Sequence, residues 1–153
     1  KKGNALEIVA LERKIENIAF KIDENNQVIF YGFIDRIDIL NGILRIIDYK
    51  TAKPKNLKIK IKEDKIENLF FDDKYKQAMQ LCMYQYCISQ IDEFKNREIE
   101  TGIWSFAEVN NGVQNVELVK GNFEDSLVSV KNLILEILNP EVPFTEKVHE
   151  SWN

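Results

Sequence analysis

Three charged residues near an Asn-Gly pair form the part of this sequence best suited to chemistry. Asp35 lies in an alternating, isoleucine-rich run before Asn41-Gly42, and Asp48 and Lys50 lie in a similar run after it. Asn-Gly between two alternating apolar runs is a strong signal of a β-hairpin, because both turn residues must accept positive φ. The sequence therefore predicts a two-residue turn joining two strands.

This turn determines which side chains share a face of the hairpin. If Asn41 and Gly42 form the whole loop, Asp35 faces Asp48, and Lys50 projects from the same face two residues later. Facing like charges about 4.5–5.5 Å apart are destabilising, and half-buried carboxylates need a partner. A divalent cation between the carboxylates supplies one, and oxygen ligands of this kind favour magnesium or manganese. The other residues of this face are apolar, namely Phe33, Ile37, Ile39, Leu44 and Ile46.

The same pattern also fits a hairpin whose charged face is solvated, because strands often carry Asp and Lys on a water-facing side. Asp38 opposite Arg45 is expected to be an ordinary pair of this kind. We expect it to be an exposed cross-strand ion pair worth about 0–1 kcal/mol. The residue pattern alone leaves the metal site and the solvated face open.

Two motifs favour the metal site. The segment Gly32-Phe-Ile-Asp35-Arg-Ile-Asp38, followed by Ile47-Asp48-Tyr49-Lys50-Thr51, resembles the signature of the PD-(D/E)XK nuclease superfamily. Within it, the chain most resembles the RecB/AddB-type nuclease domains of bacterial helicase–nuclease complexes. The later Gln80-Leu-Cys-Met-Tyr84 matches the Gln-x-x-x-Tyr motif that follows the Asp-Tyr-Lys strand in these domains. Together the motifs extend the resemblance over most of the chain.

The resemblance implies an α/β fold with a restriction-endonuclease-like core, in which helices flank a mixed β-sheet. It also implies metal-assisted phosphodiester hydrolysis with Mg²⁺, for which Mn²⁺ can substitute. The expected catalytic residues are Asp35, Asp48, Lys50 and Gln80, and the expected metal ligands are Asp35, Asp48 and the backbone carbonyl of Tyr49. The expected DNA contacts are Tyr84 and two lysines of the segment after Lys50, Lys53 and Lys55.

The biological role implied is that of a DNA nuclease, expected to be an exonuclease, in recombination and double-strand-break repair. Its expected partners are DNA and a helicase subunit, or a helicase region of the same longer chain, in the bacterial cytoplasm. The intact set of Asp35, Asp48 and Lys50 favours an enzyme. Two alternatives stay open: a catalytically silent nuclease-fold domain that binds DNA or a partner protein, and a purely structural α/β domain.

The sequence departs from the family pattern in its metal ligands. Relatives carry a histidine ligand on an upstream helix, whereas the single histidine here is His149. We therefore expect the first helix of the fold to lie before residue 1 and the metal site to be weakened. Some relatives bind an iron–sulfur cluster through four cysteines, but this chain has two, Cys82 and Cys87, which we interpret as helix packing residues.

Length and composition predict one globular domain. The resemblance implies that it is a nuclease domain, expected over residues 1–140, with an irregular tail over 141–153. The chain has 153 residues, 44% hydrophobic and 30% charged, and no apolar run approaches the ~20 residues of a membrane span. Its net charge of −4 argues against strong DNA binding by the isolated chain.

The order of elements follows from periodicity and turn residues. We expect strands over 5–22, 28–40, 43–50, 100–106 and 113–119, a turn over 110–112, and helices from Asp72 or Asp73 to about 91 and over 123–138. Residues 57–62, which include Lys58, Lys60 and Lys62, form either an edge strand or a phosphate-binding loop. Trp104 and Phe106 are expected in the core, and Glu12 on the surface.

Overall fold

The computed structural model describes residues 5–59, 69–118 and 123–145 of the chain. Its strands are β1 (Leu6–Lys21), β2 (Gln27–Leu40), β3 (Ile43–Lys50), β4 (Lys58–Ile59), β5 (Ile99–Ser105), β6 (Val113–Asn115) and β7 (Glu117–Leu118). Its α-helices are α1 (Lys76–Ser89) and α2 (Phe123–Leu138), and the 3-10 helices are Asp73–Tyr75, Asp92–Phe94 and Phe106–Asn111. No helix in these ranges is long and apolar enough to cross a membrane.

The main sheet is mixed, as the sequence predicts. Its strand order is β1-β2-β3-β5-β6, with β5 parallel to β3 and the other neighbours antiparallel. The parallel pair requires a crossover between its strands, and α1 lies within that connection. A second, two-stranded parallel sheet joins β4 to β7. The predicted α/β class with helices flanking a mixed sheet is confirmed.

The β2–β3 hairpin turns at Asn41 and Gly42, whose φ angles are 54° and 93°. Its register pairs Leu40 with Ile43, as predicted, and continues to a last pair between Arg36 and Ile47. Before Arg36, β2 pairs only with β1. Strand β2 therefore leaves β3 immediately before the two predicted catalytic carboxylates, and these do not form a ladder pair.

The long β1–β2 ribbon is irregular. Glu12 and Asn17 in β1 have φ angles of 48° and 58°. The pairing with β2 shifts register twice, between Ile8 and Ala10 and between Ile15 and Ile18. Ile34 and Ile37, three residues apart in β2, pack in the same buried cluster, so the two-residue alternation breaks between them. The expectation that Phe33 lies on the apolar face is wrong, since Phe33 is 59% exposed beyond this break.

Helix α1 covers the sheet and forms the centre of the core. Cys87 and Ile88 of α1 pack with Phe94 against a set of buried sheet residues, Ile15, Ile34, Ile37, Leu44 and Ile46. Farther along, Cys82 joins α1 to Val130 of α2 in a second cluster. Burial raises the pKa of the Cys82 and Cys87 thiols to about 11. Both cysteines are packing residues, as expected.

Three expectations about the chain after β5 are wrong. The predicted strand over 113–119 is two short strands in different sheets, because β6 pairs with β5 whereas β7 pairs with β4. The predicted turn over 110–112 is the end of the 3-10 helix Phe106–Asn111, where Gly112 has φ 65°. Phe106 is 64% exposed rather than buried, and its ring stacks on the Tyr49 ring. Trp104 is partly buried.

The predicted helix cap at Asp72 acts one turn before α1. Its side chain accepts a hydrogen bond from the Lys74 backbone N–H, which caps the 3-10 helix that leads into α1. The segment 57–62 is an edge strand at least over Lys58–Ile59. Lys60 and Lys62 lie outside the described residues.

Candidate active site

Asp48 lies near the end of β3, between β2 and β5, and is only 4% exposed. Its Oδ2 atom lies 2.7 Å from the Lys50 ammonium, an ion pair, and no group in the described part of the chain gives this oxygen a well-aligned hydrogen bond. Burial raises the pKa of Asp48, the Lys50 charge opposes this shift, and the nearby Asp35 charge adds to it. This carboxylate is therefore costly to ionise without a cation.

Asp35 approaches Asp48 from the point where β2 leaves β3. Its Oδ2 accepts a hydrogen bond of 2.8 Å from the backbone N–H of Tyr49. This side-chain bond satisfies a β3 donor where pairing with β2 has ended. Asp35 is partly exposed, so the carboxylate lies at the surface end of the buried Asp48 site.

Helix α1 contributes the third part of the site, the side chains of Gln80 and Tyr84, which lie one helical turn apart. Gln80 Oε1 accepts a hydrogen bond from the Lys50 ammonium at 3.3 Å, and Gln80 Nε2 donates to the Tyr84 hydroxyl at 2.8 Å. Burial raises the pKa of Tyr84, so its hydroxyl stays protonated at neutral pH. Side chains from β3 and α1 thus form one continuous chain of polar contacts, Asp48–Lys50–Gln80–Tyr84.

The donor set fits a hard divalent cation. A buried carboxylate oxygen that contacts the Lys50 ammonium but has no well-aligned hydrogen bond, beside a second carboxylate, suits ligation of Mg²⁺ or Mn²⁺. Within the described ranges, no three carboxylate, thiol or imidazole side chains cluster as a metal site. Asp35 and Asp48 would therefore need further oxygen ligands, such as the Tyr49 carbonyl and water. Glu12 is exposed, as expected.

The comparison with known families agrees with this geometry. A model of the PD-(D/E)XK nuclease superfamily matches residues 1–149. The chain belongs to the PD-(D/E)XK nuclease superfamily. Members of this superfamily are usually nucleases, and a comparison with curated proteins finds no match. The structure brings together the six residues that the sequence analysis assigns to the family motifs, Asp35, Asp48, Tyr49, Lys50, Gln80 and Tyr84. Their assignment and their individual roles stay predictions.

The structure does not bring the two lysines predicted to contact DNA, Lys53 and Lys55, into this cluster. Lys53 forms an ion pair of 3.1 Å with Glu108, although its side chain remains 69% exposed. Lys55 is exposed, and its backbone N–H donates to Gln77 Oε1 at 2.8 Å. This bond ties the segment after β3 to α1, a contact of Gln77 that the sequence analysis did not identify. The DNA contacts of Lys53 and Lys55 stay predictions.

The prediction that Asp38 and Arg45 form an exposed ion pair is wrong. Asp38 is fully buried and is bound by two guanidinium groups, those of Arg36 and Arg45. One sequence signal supports burial. Ile34 and Ile37 stand at even and odd positions of β2, a pattern typical of strands covered on both faces, although in the structure both pack in one cluster because the alternation breaks between them. By strand alternation, this ion cluster lies on the face of β3 opposite Asp48 and Lys50.

Proposed function

We propose that this PD-(D/E)XK chain is a Mg²⁺-dependent deoxyribonuclease, with Mn²⁺ as a substitute cofactor. The observation that carries the proposal is the continuous polar chain from Asp48 through Lys50 and Gln80 to Tyr84, with Asp35 beside it. A buried carboxylate with a raised pKa, in contact with an ammonium at the end of the central strand β3, is costly for stability. Such an arrangement is typical of a functional site.

The two carboxylates and the Tyr49 carbonyl are the groups that would hold the cation. A bound Mg²⁺ supplies Lewis-acid polarisation of the phosphodiester and lowers the pKa of water. Asp35 also holds the Tyr49 backbone through its N–H, so the same side chain that would bind metal also positions the neighbouring peptide. Asp48 contributes a buried oxygen that lacks a well-aligned donor.

Lys50, Gln80 and Tyr84 are the groups available to the substrate. The Lys50 side chain is 32% exposed, and its ammonium is held between Asp48 and Gln80. We assign to it stabilisation of the negative charge that develops on the phosphate, because a fixed cation there needs no reorganisation during the reaction. Gln80 orients Lys50 and the attacking water, and Tyr84 supports Gln80 or contacts the DNA strand.

The finer assignment is also a proposal. We infer an exonuclease of RecB/AddB type that acts in DNA recombination and double-strand-break repair beside a helicase. Its support is the order of the Asp35, Asp48-Tyr49-Lys50 and Gln80–Tyr84 motifs. The net charge of −4 also supports a partner, because it gives the isolated chain little electrostatic affinity for DNA.

The experiment is a cleavage assay with the 153-residue chain and millimolar Mn²⁺ or Mg²⁺. The substrates are linear duplex DNA, linear single-stranded DNA and covalently closed circular DNA. We expect slow degradation of linear DNA, with circular DNA resistant. Asp48→Asn should abolish cleavage, whereas the matched control Asp92→Asn, at a fully exposed carboxylate paired with Lys95, should retain it.

The outcomes separate the proposal from its alternatives. Cleavage of circular DNA at the rate of linear DNA would identify an endonuclease and refute the exonuclease assignment. DNA binding without metal-dependent cleavage, at all Mn²⁺ concentrations, would favour the catalytically silent domain. Cleavage by Asp48→Asn at the wild-type rate would show that the nuclease site lies elsewhere.

A further inference from the structure

Behind the proposed metal site, the buried Asp38 carboxylate binds two arginines. Arg36 contacts Asp38 Oδ2 through Nε at 2.7 Å and through a terminal nitrogen at 2.6 Å. Arg45 contacts Oδ1 through Nε at 2.7 Å and Oδ2 through a terminal nitrogen at 2.9 Å. Asp38 is fully buried, and the side chains of Arg36 and Arg45 are 10% and 15% exposed. Charge-assisted hydrogen bonds of this kind hold a planar guanidinium in one orientation.

Only one of the two arginines also contacts the Asp48-Tyr49-Lys50 segment. The second terminal nitrogen of Arg36 donates to the Tyr49 hydroxyl at 3.4 Å. The Arg36 guanidinium also lies over the Trp104 ring, 5.7 Å from its centroid, and Trp104 in turn packs against Tyr49. Arg45 binds the same carboxylate from β3, and within the described part of the chain its polar side-chain contacts go to Asp38.

Tyr49 is consequently held from two sides by adjacent residues of β2. Asp35 accepts a hydrogen bond of 2.8 Å from the Tyr49 backbone N–H, and Arg36 donates one to the Tyr49 hydroxyl. Tyr49 lies between Asp48 and Lys50 in sequence, and no ladder pair joins β2 to β3 at this level. Arg36 therefore supplies a link between the strands where backbone pairing has ended.

We infer that Arg36 is a positioning residue for the metal site, acting through Tyr49 without contact to metal or substrate. The inference rests on the proposed function, because it concerns the ligands named there. By fixing the Tyr49 ring, Arg36 limits rotation of the peptide that carries the proposed carbonyl ligand. Outer groups that orient ligands in this way typically contribute about 10–100-fold to metal affinity.

The test compares matched variants of the 153-residue chain. Arg36→Lys and Arg45→Lys make the same change to the same Asp38 carboxylate, but only the first removes the bond to Tyr49. Tyr49→Phe removes the hydroxyl alone. If Arg36→Lys does not fold, the Mn²⁺ affinity of Tyr49→Phe is compared with that of wild type instead. Mn²⁺ affinity is measured by isothermal titration calorimetry, and the unfolding midpoint by thermal denaturation without metal.

We expect both lysine variants to unfold at similarly lowered temperatures. Arg36→Lys should weaken Mn²⁺ binding about 10-fold, at the lower end of the range for groups that orient metal ligands. Tyr49→Phe should also weaken Mn²⁺ binding, because it removes the same hydrogen bond. Arg45→Lys should stay within about two-fold of wild type, because it leaves the Tyr49 contact intact. The double variant Arg36→Lys/Tyr49→Phe should bind Mn²⁺ no more weakly than Arg36→Lys, because both changes remove the same bond.

The failures of the inference and of the proposed function are distinguishable. Equal Mn²⁺ affinity in Arg36→Lys and Arg45→Lys would overturn the positioning role while leaving the metal site intact. Persistent loss of cleavage by Arg36→Lys at saturating Mn²⁺ would overturn it too, because the role acts through metal affinity. Wild-type Mn²⁺ binding that is unchanged in Asp48→Asn would remove the proposed metal site, and the inference with it.

Discussion

Replacing Asp48 by asparagine should leave the metal-free fold nearly unchanged. Breaking a fully buried ion pair costs about 3–5 kcal/mol, because the remaining charge is left without compensation. Here the remaining charge is Lys50, whose side chain is 32% exposed and keeps its bond to Gln80. Because the ammonium left behind can be hydrated, we expect the cost to lie near the range of solvent-exposed pairs, about 0–1 kcal/mol, and below that of fully buried pairs. The substitution also removes a buried charge whose ionisation is disfavoured by burial.

The same variant should lose the stabilisation that metal gives the wild type. A ligand that binds only the folded state at 100 times its dissociation constant adds about 2.7 kcal/mol to the free energy of unfolding. For a chain of this size, 1 kcal/mol shifts the unfolding midpoint by about 2–4 °C. We therefore expect Mn²⁺ to raise the wild-type midpoint by roughly 5–11 °C and to leave Asp48→Asn unshifted.

The assay is thermal denaturation with and without saturating Mn²⁺, and Asp92→Asn is the control that should keep the full shift. A wild-type-sized shift in Asp48→Asn would refute Asp48 as a metal ligand. If Asp48→Asn lowers the free energy of unfolding by about 3–5 kcal/mol without metal, the argument for Lys50 is refuted. Such a loss would show that the Lys50 ammonium needs the Asp48 charge to compensate it.

Three further changes test other parts of the structure. Lys50→Met should reduce cleavage by about 100-fold or more with Mn²⁺ binding retained; loss of calorimetric Mn²⁺ binding would instead make Lys50 part of the metal site. Burial raises the pKa of the Cys82 and Cys87 thiols to about 11, so Ellman's reagent at pH 8 should label them only after unfolding. Because these pKa values are raised in the folded state, the stability that the thiols contribute is lost between about pH 9 and pH 11, which urea titrations across that range would detect. Gly102→Ala would place a Cβ 2.8 Å from a backbone oxygen of β6 and should cost about 1–3 kcal/mol in urea denaturation; Gly32→Ala, with open space around it, should change stability by no more than about 0.5 kcal/mol.

The parts of the fold that the sequence predicts are those with local signals. Asn41-Gly42 sets the hairpin register, because few other dipeptides accept positive φ at both positions. The 3.6-residue period gives α1 and α2, and the spacing of Gln80 and Tyr84 places both on the side of α1 that meets Lys50. These signals need no knowledge of which elements pack together.

The parts that the sequence does not predict depend on contacts between distant segments. Burial of Asp38 depends on Arg36 and Arg45 both reaching its carboxylate, and hydrophobic periodicity does not predict burial of residues that are all charged. Phe33 is exposed because the alternation of β2 breaks after it. The assignment of faces from the sequence assumes an unbroken two-residue alternation. The short β4–β7 pairing joins segments far apart in sequence, and two-residue strands carry almost no pattern.

The irregular backbone of β1 bears on self-association. β1 is the outermost strand of the described sheet, 16 residues long, with exposed Leu6, Ile8 and Leu11. A long apolar edge of this kind is a template on which another chain can add a strand. The positive φ angles at Glu12 and Asn17 interrupt it and divide the edge into short extended stretches. The two kinks thus oppose the edge-to-edge pairing that begins aggregation, while the β1–β2 contact continues on the other side of the strand.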